Sequence, residues 1–423
     1  MSKSLRLTVS VLVLVTLPML RVSLHAAPLP SQTPQGPECV IHEIRKITLP
    51  VYSDRPQSPH FQYSFQIQPG SDPSLPVIIY LPGGPGETSM GRSLSKIPKT
   101  FTVIHTDPRG AGCNTASEQE IPDDALTSEY LAADILGIVQ ELQLKDYLIF
   151  GVSYGSVVAT LAAKIAEDAR LPPRSIILEG TVGRAFHGSE ILQGYIDQWR
   201  MARSQLSRIA RSEIDSRVPP LKRDGLDWGA WIQGQLLFGV DPANGNPLVN
   251  SLEYLAPGVN FGSGYEQLLA LSVYGASSTK KIPSSQIRVH RQIACREITD
   301  SIAGYQSDFT LVSGELVPLP LDYCSDVKLT RPYDSARARV SVPIFYFAGE
   351  NDPATPVGQA KYHFENQTAA RRFFVKVPRG GHDALGANLS DCIDWIWRGI
   401  IDDGASLSAA LVKCKLRPSL EVR

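Results

Sequence analysis

The chain has 423 residues, of which 43% are hydrophobic and 20% charged, enough for one large domain with an insertion or for about two to three domains. The formal net charge is −1 at pH 7, which argues against nucleic acid or an anionic membrane surface as a main partner. The sequence contains no internal repeat. Its composition is therefore that of an ordinary globular protein.

The first residues predict a cleaved secretory signal over residues 1–27. Lys3 and Arg6 precede the apolar run TVSVLVLVTLPML, and small residues follow it near Ala26 or Ala27. The run is too short to span a bilayer comfortably, so an uncleaved anchor is the lesser alternative. We therefore expect a secreted or periplasmic protein without a stable membrane span after cleavage.

Apolar runs alternate with helical patterns along most of the remaining chain. In chain order we expect strands at VIIYL and FTVIH, a helix capped by Ser128, a strand that ends at Phe150, a second helix and a strand at SIIL. Strands within VPIFYFAG and RRFFVKV and a helix at DCIDWIWRGI follow near the end. This alternation predicts an α/β fold with a mostly parallel sheet flanked by helices, and with the site at the carboxyl ends of its strands. We assign the core to residues 28–183 and 339–423, and an inserted, mainly helical cap to residues 184–338.

The segment GVSYG, between a buried strand and a helix, contains the candidate nucleophile. Ser153 lies between Gly151 and Gly155, and small residues at these positions relieve crowding where a strand turns directly into a helix. The serine of such a turn is exposed in an unfavourable backbone conformation, as in the nucleophile elbow of α/β-hydrolases. An ordinary serine in a glycine-rich turn is the alternative.

A serine nucleophile needs a base and an acid that orients the base, and in this chain order both follow the serine. His382 stands in a glycine-containing loop directly after a late strand, and Asp352 stands in the turn after the preceding strand. We therefore expect Ser153, Asp352 and His382 to form a catalytic triad. Glu350 is interpreted as a loop carboxylate and Asp383 as a structural one.

Hydrolysis also needs hydrogen-bond donors for the oxyanion. The backbone N–H of Tyr154, at the start of the helix, is one candidate. The second donor is expected from the segment LPGGPG, and it must be Gly84 or Gly83, because Pro85 has no N–H. A plain turn is the competing interpretation.

Together these motifs resemble the prolyl aminopeptidase and tripeptidyl aminopeptidase family of serine exopeptidases, which have the α/β-hydrolase fold. The resemblance covers roughly residues 38–415 and rests on GGPG at 83–86, DPRGAG at 107–112, GVSYG at 151–155, and Asp352 with Gly381-His382. It implies that the protein releases N-terminal residues or short peptides through an acyl-enzyme, without a metal or another cofactor. Peptides with a free N-terminus are the implied partners.

Single residues refine this resemblance. Pro82 stands where prolyl aminopeptidases usually have histidine, which favours the secreted tripeptidyl branch. Asp107 and Arg109 are implied to brace the loops around the site. Asn114 departs from the family, because many relatives have a serine near this position.

The even number of cysteines, six, favours three disulfides in an exported chain. We expect Cys295 to pair with Cys324 in the cap and Cys392 with Cys414 near the C-terminus. Cys39 and Cys113 form the remaining pair.

An exopeptidase must also recognise the charged amine of its substrate, for which a carboxylate in a partly dehydrated pocket is suited. Glu297, two residues after Cys295, is the first candidate, and Glu179, at the end of a strand, is the second. An exposed cap charge and a loop-bracing carboxylate are the respective alternatives. A carboxylic-ester hydrolase with the same triad and a non-catalytic binding protein are the alternative functions.

Overall fold

The structure, a computed structural model, describes residues 39, 41, 43–209, 211–212, 284–299, 309–312, 315–318, 324 and 327–423. The predicted signal and much of the predicted cap lie outside these residues. No helix among the described residues is long and apolar enough to cross a membrane.

The described strands form one sheet of nine strands and a separate two-stranded hairpin. In chain order they are β1 Ile44–Pro50, β2 His60–Gln68, β3 Val77–Leu81, β4 Val103–Thr106, β5 Tyr147–Val152, β6 Ser175–Glu179, β7 Phe309–Val312, β8 Glu315–Pro318, β9 Ile344–Gly349, β10 Arg372–Val377 and β11 Ser419–Val422. The order across the large sheet is β1-β2-β4-β3-β5-β6-β9-β10-β11. The strands from β4 across to β10 are parallel, whereas β1, β2 and β11 pair antiparallel with their neighbours. The predicted mostly parallel sheet is confirmed.

Both faces of the sheet are buried, which explains why its central strands are continuous apolar runs. Along β5, Tyr147 and Ile149 belong to the hydrophobic core on one face, and Leu148 and Phe150 belong to the core on the other. Successive side chains of a strand point to opposite faces, so each central strand contributes to both cores.

Helices cover these faces. The helices are α1 Ser128–Glu141, α2 Gly155–Asp168, α3 Gly188–Gln205, α4 Ser284–Ile293, α5 Val357–Asn366, α6 Ile393–Ile401 and α7 Leu407–Leu411, with single π-helical turns at Ala294–Ile298 and Ala384–Asn388. The helix α1 and its N-cap both lie one residue earlier in the chain than expected. Thr127 is the N-cap, since its side chain accepts a hydrogen bond from the Tyr130 N–H at 3.2 Å, and Ser128 is the first helical residue.

The helix α2 packs very closely against two strands of the sheet. A Cβ atom on Gly155 would lie 2.2 Å from the carbonyl oxygen of Leu81, at the end of β3. A Cβ atom on Gly151 would lie 2.3 Å from the carbonyl oxygen of Gly155. Only glycine allows this approach of backbone to backbone, so the two glycines set the position of the strand-to-helix turn.

The six cysteines form three disulfide bonds, in the pairs expected from the sequence: Cys39–Cys113, Cys295–Cys324 and Cys392–Cys414. Their Cα–Cα separations are 5.1, 5.2 and 5.1 Å, within the ordinary range for disulfides. The first bond ties the N-terminal part of the described chain to the loop after β4. The last bond ties the start of α6 to the segment after α7.

A fully buried ion pair joins α1 to the loop after β4. The guanidinium of Arg109 donates to both carboxylate oxygens of Asp134, from Nε at 2.8 Å and from Nη2 at 2.5 Å. Nη1 donates to the carbonyl oxygen of Val51 at 2.6 Å. Burial raises the pKa of Asp134, and the Arg109 charge opposes this effect. Such a pair is costly to break, because the remaining charge would have no partner.

We therefore predict that Asp134→Asn lowers the free energy of unfolding by about 3 kcal/mol or more, since it leaves Arg109 buried without a counter-charge. Asp168→Asn is the matched control, because Asp168 pairs with Lys164 on the helix surface and its side chain is 65% exposed. The control should change stability by less than about 1 kcal/mol. Urea unfolding of the three proteins measures the difference, and equal stabilities would contradict the structural role of the buried pair.

A second prediction concerns the close approach of α2. Gly155→Ala should destabilise the protein by about 2 kcal/mol or more, because its Cβ atom meets backbone that cannot move independently. Gly358→Ala, on the exposed face of α5 where an added Cβ has nothing within 4 Å, is the control. It should be neutral or stabilising by up to about 1 kcal/mol. Thermal unfolding that ranks the two variants equally would refute this explanation.

Candidate active site

Ser153 occupies the turn between β5 and α2. Its φ angle is 55°, in the left-handed region that non-glycine residues rarely adopt. The Ser153 N–H donates to the carbonyl oxygen of Glu179 at 2.8 Å, and the Ser153 carbonyl accepts from the Ser156 hydroxyl at 2.6 Å. These bonds on both sides hold the turn in its strained conformation. The backbone is that of a nucleophile elbow.

His382 and Asp352 are hydrogen-bonded to each other. Asp352 follows β9 and His382 follows the neighbouring parallel strand β10, so both lie at the same edge of the sheet. His382 Nδ1 lies 2.9 Å from Asp352 Oδ2. The Asp352 side chain is 1% exposed and the His382 side chain 13%. No hydrogen bond to a described residue occupies Nε2 of His382.

The surroundings of His382 favour its protonated form. Burial lowers the pKa of His382, but the charge and hydrogen bond of Asp352 and the more distant charges of Glu179 and Glu87 raise it, and the net pKa is above the usual value. A carboxylate in this position stabilises an imidazolium and fixes which ring nitrogen carries the proton.

Thr355 is a residue of this site that the sequence analysis missed. Its hydroxyl donates to Asp352 Oδ2 at 2.6 Å and lies 3.1 Å from His382 Nδ1. The N–H groups of Ala354 and Thr355 donate to Asp352 Oδ1 at 2.9 and 3.0 Å. The carboxylate is therefore fixed at both oxygens. The sequence signal for this arrangement is DPAT, in which an aspartate side chain accepts bonds from the following backbone.

The end of β6 joins the serine to the histidine. Gly180 has a φ angle of 57°, and a Cβ atom there would lie 2.8 Å from His382 Cε1. The preceding residue, Glu179, accepts the Ser153 N–H through its carbonyl. The imidazole ring thus lies against a glycine that directly follows the hydrogen-bond partner of Ser153.

The candidate oxyanion donors lie beside Ser153. A Cβ atom on Gly83 would be 2.9 Å from the Cβ atom of Ser153, so this glycine is in contact with the serine, and Gly84 follows it with a φ angle of 106°. Tyr154 directly precedes the first residue of α2. Within the described part of the chain, no hydrogen bond occupies the N–H groups of Gly83, Gly84 and Tyr154. All three are therefore free to bind an anion.

Asp107 braces the loops around these donors. Its Oδ1 accepts from the N–H groups of Ser89 and Met90 at 2.8 and 3.1 Å, and its Oδ2 accepts from the Cys113 N–H at 3.0 Å. The nearby Asn114 donates to the Asp107 carbonyl at 2.7 Å. The loop after β3 is in this way tied to the loop after β4.

Two helices from the predicted cap contact the loops of the site. A Cβ atom on Gly86 would lie 2.9 Å from the carbonyl oxygen of Gln286 in α4, so α4 rests on the GGPG loop. Arg288 of α4 pairs with Asp123 at 2.7 Å. At the other side, a Cβ atom on Gly194 in α3 would lie 2.8 Å from the carbonyl oxygen of Pro353, next to Asp352.

Glu297, the first candidate for binding a substrate amine, is 2% exposed and lies on the π-helical turn after α4. Its Oε2 accepts from the N–H and hydroxyl of Ser128 at 3.1 and 2.5 Å, and the Ser128 hydroxyl is 2.8 Å from the Tyr154 hydroxyl. Its Oε1 has Arg331 Nη2 at 3.2 Å but accepts no hydrogen bond within the described residues. Burial raises the pKa of Glu297 to about 7. This carboxylate is therefore incompletely satisfied.

Glu179, the second candidate, has a hydrogen-bond partner at each of its two carboxylate oxygens. It is fully buried, and its Oε2 lies 2.7 Å from Lys96 Nζ. Its Oε1 accepts from the Leu385 N–H at 2.6 Å. Glu350 pairs with Lys376 at 3.0 Å on the surface, and Asp383 pairs with Lys96 at 2.5 Å, in agreement with the structural roles expected for these two carboxylates.

Comparison with known proteins supports the fold. A family profile described as "alpha/beta hydrolase fold" matches residues 76–203. None of the curated proteins matches the chain in sequence. Among solved structures the chain is similar to VinJ, with 13% identity, a TM-score of 0.45 and coverage of 85% of this chain and 98% of that one.

Two further structures are similarly remote. Proline iminopeptidase of Mycobacterium smegmatis has 14% identity and a TM-score of 0.44, with coverage of 86% of this chain and 97% of that one. A thermophilic esterase from Thermogutta terrifontis has 15% identity and a TM-score of 0.45, with coverage of 85% and 100%. Similarity this remote carries no argument about activity. The order and direction of the strands, together with the profile match, give this protein the α/β-hydrolase fold.

Proposed function

We propose that the protein is a serine hydrolase that releases N-terminal residues or short peptides, of the tripeptidyl or prolyl aminopeptidase type. The observation that carries the proposal is the arrangement of Ser153, His382 and Asp352. The serine stands in an elbow, and the histidine is held by a buried carboxylate at the same edge of the sheet. This combination is used for acyl transfer.

In the proposed reaction, Nε2 of His382 accepts the proton of the Ser153 hydroxyl as its oxygen attacks the scissile carbonyl. Asp352 accepts the hydrogen bond from Nδ1 and stabilises the imidazolium that forms. The N–H of Tyr154 and that of Gly84 or Gly83 bind the oxyanion. His382 then gives its proton to the leaving amine, and water hydrolyses the acyl-enzyme by the same steps. The chemistry needs no cofactor.

Glu297 is our proposed anchor for the substrate's amine. Its buried Oε1 lacks a hydrogen bond among the described residues, and an ammonium group would supply one. Glu297 is also connected to the residue after the nucleophile, through Ser128 and the Tyr154 hydroxyl. Glu179 is less suited, because Lys96 and the Leu385 N–H already bind both of its oxygens, whereas Oε1 of Glu297 has only the ion pair with Arg331, whose side chain is 38% exposed. An ester hydrolase would need neither carboxylate for binding, so the amine dependence of cleavage separates the two functions.

Export from the cytoplasm is part of the proposal. All six cysteines are paired in the structure, which suits an oxidising compartment. The signal over residues 1–27 remains a prediction from the sequence.

The nucleophile is tested by Ser153→Ala. We expect turnover to fall by several orders of magnitude with the thermal unfolding temperature little changed, because nucleophile and base act as a unit. Purified protein is assayed with free and N-blocked aminoacyl, dipeptidyl and tripeptidyl amides and with short acyl esters. A serine-directed phosphonate should label the wild type at Ser153, as mapped by mass spectrometry. Labelling at another residue, or full turnover by the variant, would refute the proposal.

The amine anchor is tested by Glu297→Gln. At pH 8 the variant should lose about 10- to 100-fold in kcat/KM for free-amine peptides, as expected for one charged hydrogen bond, and little for an acyl ester. Glu129→Gln is the control, because Glu129 is an exposed carboxylate close to Ser128. It should leave both substrates unaffected.

The raised pKa of Glu297 also predicts how the KM for free-amine peptides depends on pH. Because the pKa of Glu297 is raised to about 7, the carboxylate is ionised above that pH and becomes neutral below it. The KM for free-amine peptides should therefore rise as the pH falls through 7 in the wild type, and should lose this dependence in Glu297→Gln. Equal losses on peptide and ester would exclude Glu297 as the anchor, and the same test would then pass to Glu179.

A further inference from the structure

Lys96 lies between two carboxylates near the base of the proposed triad. Its Nζ is 2.7 Å from Glu179 Oε2 and 2.5 Å from Asp383 Oδ1. The Lys96 side chain is 12% exposed, that of Glu179 0% and that of Asp383 29%. The Trp397 indole N–H donates to the Lys96 carbonyl at 2.8 Å and so holds its backbone. In this ion-pair cluster of Lys96, Glu179 and Asp383, the lysine and the glutamate are almost completely removed from water and the aspartate is partly exposed.

Each carboxylate of the cluster belongs to a segment that contacts the site. Asp383 is the residue after His382. Glu179 is the residue before Gly180, against which the imidazole ring lies, and its carbonyl accepts the Ser153 N–H at 2.8 Å. The cluster therefore connects the histidine loop to the turn of the nucleophile.

Glu179 fixes the histidine loop at a second point. Its Oε1 accepts from the Leu385 N–H at 2.6 Å, at the π-helical turn that follows His382. The loop is thus held at two points. Before the turn, Asp383 pairs with Lys96, and within the turn, the Leu385 N–H binds Glu179 at the end of β6. A shift of the loop backbone at His382 away from Gly180 would have to break these bonds.

The charges of the cluster depend on one another. Burial lowers the pKa of Lys96, but the two carboxylates raise it by more, so the ammonium stays protonated. Burial raises the pKa of Glu179, and the Lys96 charge opposes this effect. Without Lys96 two carboxylates would face each other in a nearly dry site, which is unfavourable.

We propose that Lys96, Glu179 and Asp383 act as positioning residues that hold His382 against Gly180, beside the turn that carries Ser153. The inference rests on the proposed role of His382 as the base. It gives Glu179 a function other than binding a substrate amine. None of the three residues needs to touch the substrate.

The charged groups that face His382 come from several elements. Those that raise its pKa are Asp352 after β9, Glu179 at the end of β6 and Glu87 directly after GGPG. Lys96, from the loop after β3, and Asp383, the residue after the histidine, pair with each other, and Lys96 also pairs with Glu179. Within the cluster it is the charge of Glu179 that raises the pKa of His382 and so stabilises the imidazolium. Removing this charge should therefore lower the pKa of His382.

The decisive variant is Glu179→Gln, which preserves shape and an oxygen acceptor for Leu385 but removes the charge. We expect kcat/KM for an acyl ester to fall about 10- to 100-fold at its pH plateau, with KM little changed, because the base is misplaced and not the substrate. The acid limb of the pH profile should move to lower pH by between a few tenths and about one unit. Asp383→Asn, in the more exposed position, should lower the plateau kcat/KM and move the acid limb in the same directions. It replaces Glu179→Gln as the test if that variant does not fold.

Lys376→Met is the matched control. Lys376 also pairs with a carboxylate beside the acid loop, Glu350, but both side chains are over 40% exposed. This variant should keep the rate and the pH profile of the wild type. A plateau rate within twofold of wild type for Glu179→Gln and Asp383→Asn, with an unshifted acid limb, would overturn the proposal.

A second readout separates this inference from the proposed function. The ring resonances of 13C-labelled His382, assigned with His382→Gln, report its protonation without any substrate. A lower pKa of His382 in Glu179→Gln than in wild type supports the cluster even if Ser153→Ala shows that the hydrolase proposal fails. An unchanged titration in both cluster variants refutes the electrostatic link whatever the activity of the enzyme.

Discussion

The site depends on how closely α2 approaches the sheet. Two backbones meet at distances that only glycine permits, at Gly155 against the end of β3 and at Gly151 against the first residue of α2. With the helix fixed there, the chain has no room for a gradual turn, and Ser153 must take a left-handed conformation. The strain at Ser153 is maintained by a hydrogen bond to the end of β6 and by the Ser156 hydroxyl. Position and strain of the serine thus have the same cause.

The remaining groups reach the serine because neighbouring parallel strands end at one edge. The strands β6, β9 and β10 are adjacent, so Glu179, Asp352 and His382 follow one another across the sheet. Glycine again makes the approach possible, since the imidazole lies against Gly180. Helices from the predicted cap complete the arrangement, with α3 against the acid loop and α4 against the GGPG loop. These helices are bound to the core through the very loops that carry the site.

Much of the fold was predictable because its signals are local. Continuous apolar runs marked the buried strands, and the turns that follow these strands contain the candidate residues Ser153, Asp352 and His382. Boundaries and short elements were harder: Thr127 and Ser128 can both cap a helix, and β11 is a four-residue edge strand with little pattern of its own.

Side-chain contacts over long sequence distances were not predictable in this way. Lys96 is separated by 83 residues from Glu179 and by 287 from Asp383, and no spacing rule joins residues so far apart. The same limit applies to Glu297 with Ser128, which come together only because α4 rests on the core. Thr355 is the opposite case, since its contact with Asp352 lies within one turn and follows from DPAT alone.

The disulfide between Cys39 and Cys113 is more than a link between distant segments. The N–H of Cys113 donates to Asp107, the carboxylate that also holds Ser89 and Met90 in the loop behind the oxyanion donors. A single side chain, that of Asp107, therefore connects this disulfide to the loop of the proposed oxyanion donors. Protein produced in a reducing cytosol would lack this covalent restraint, so recombinant batches that differ in thiol content would be expected to differ in specific activity at equal amounts of folded protein.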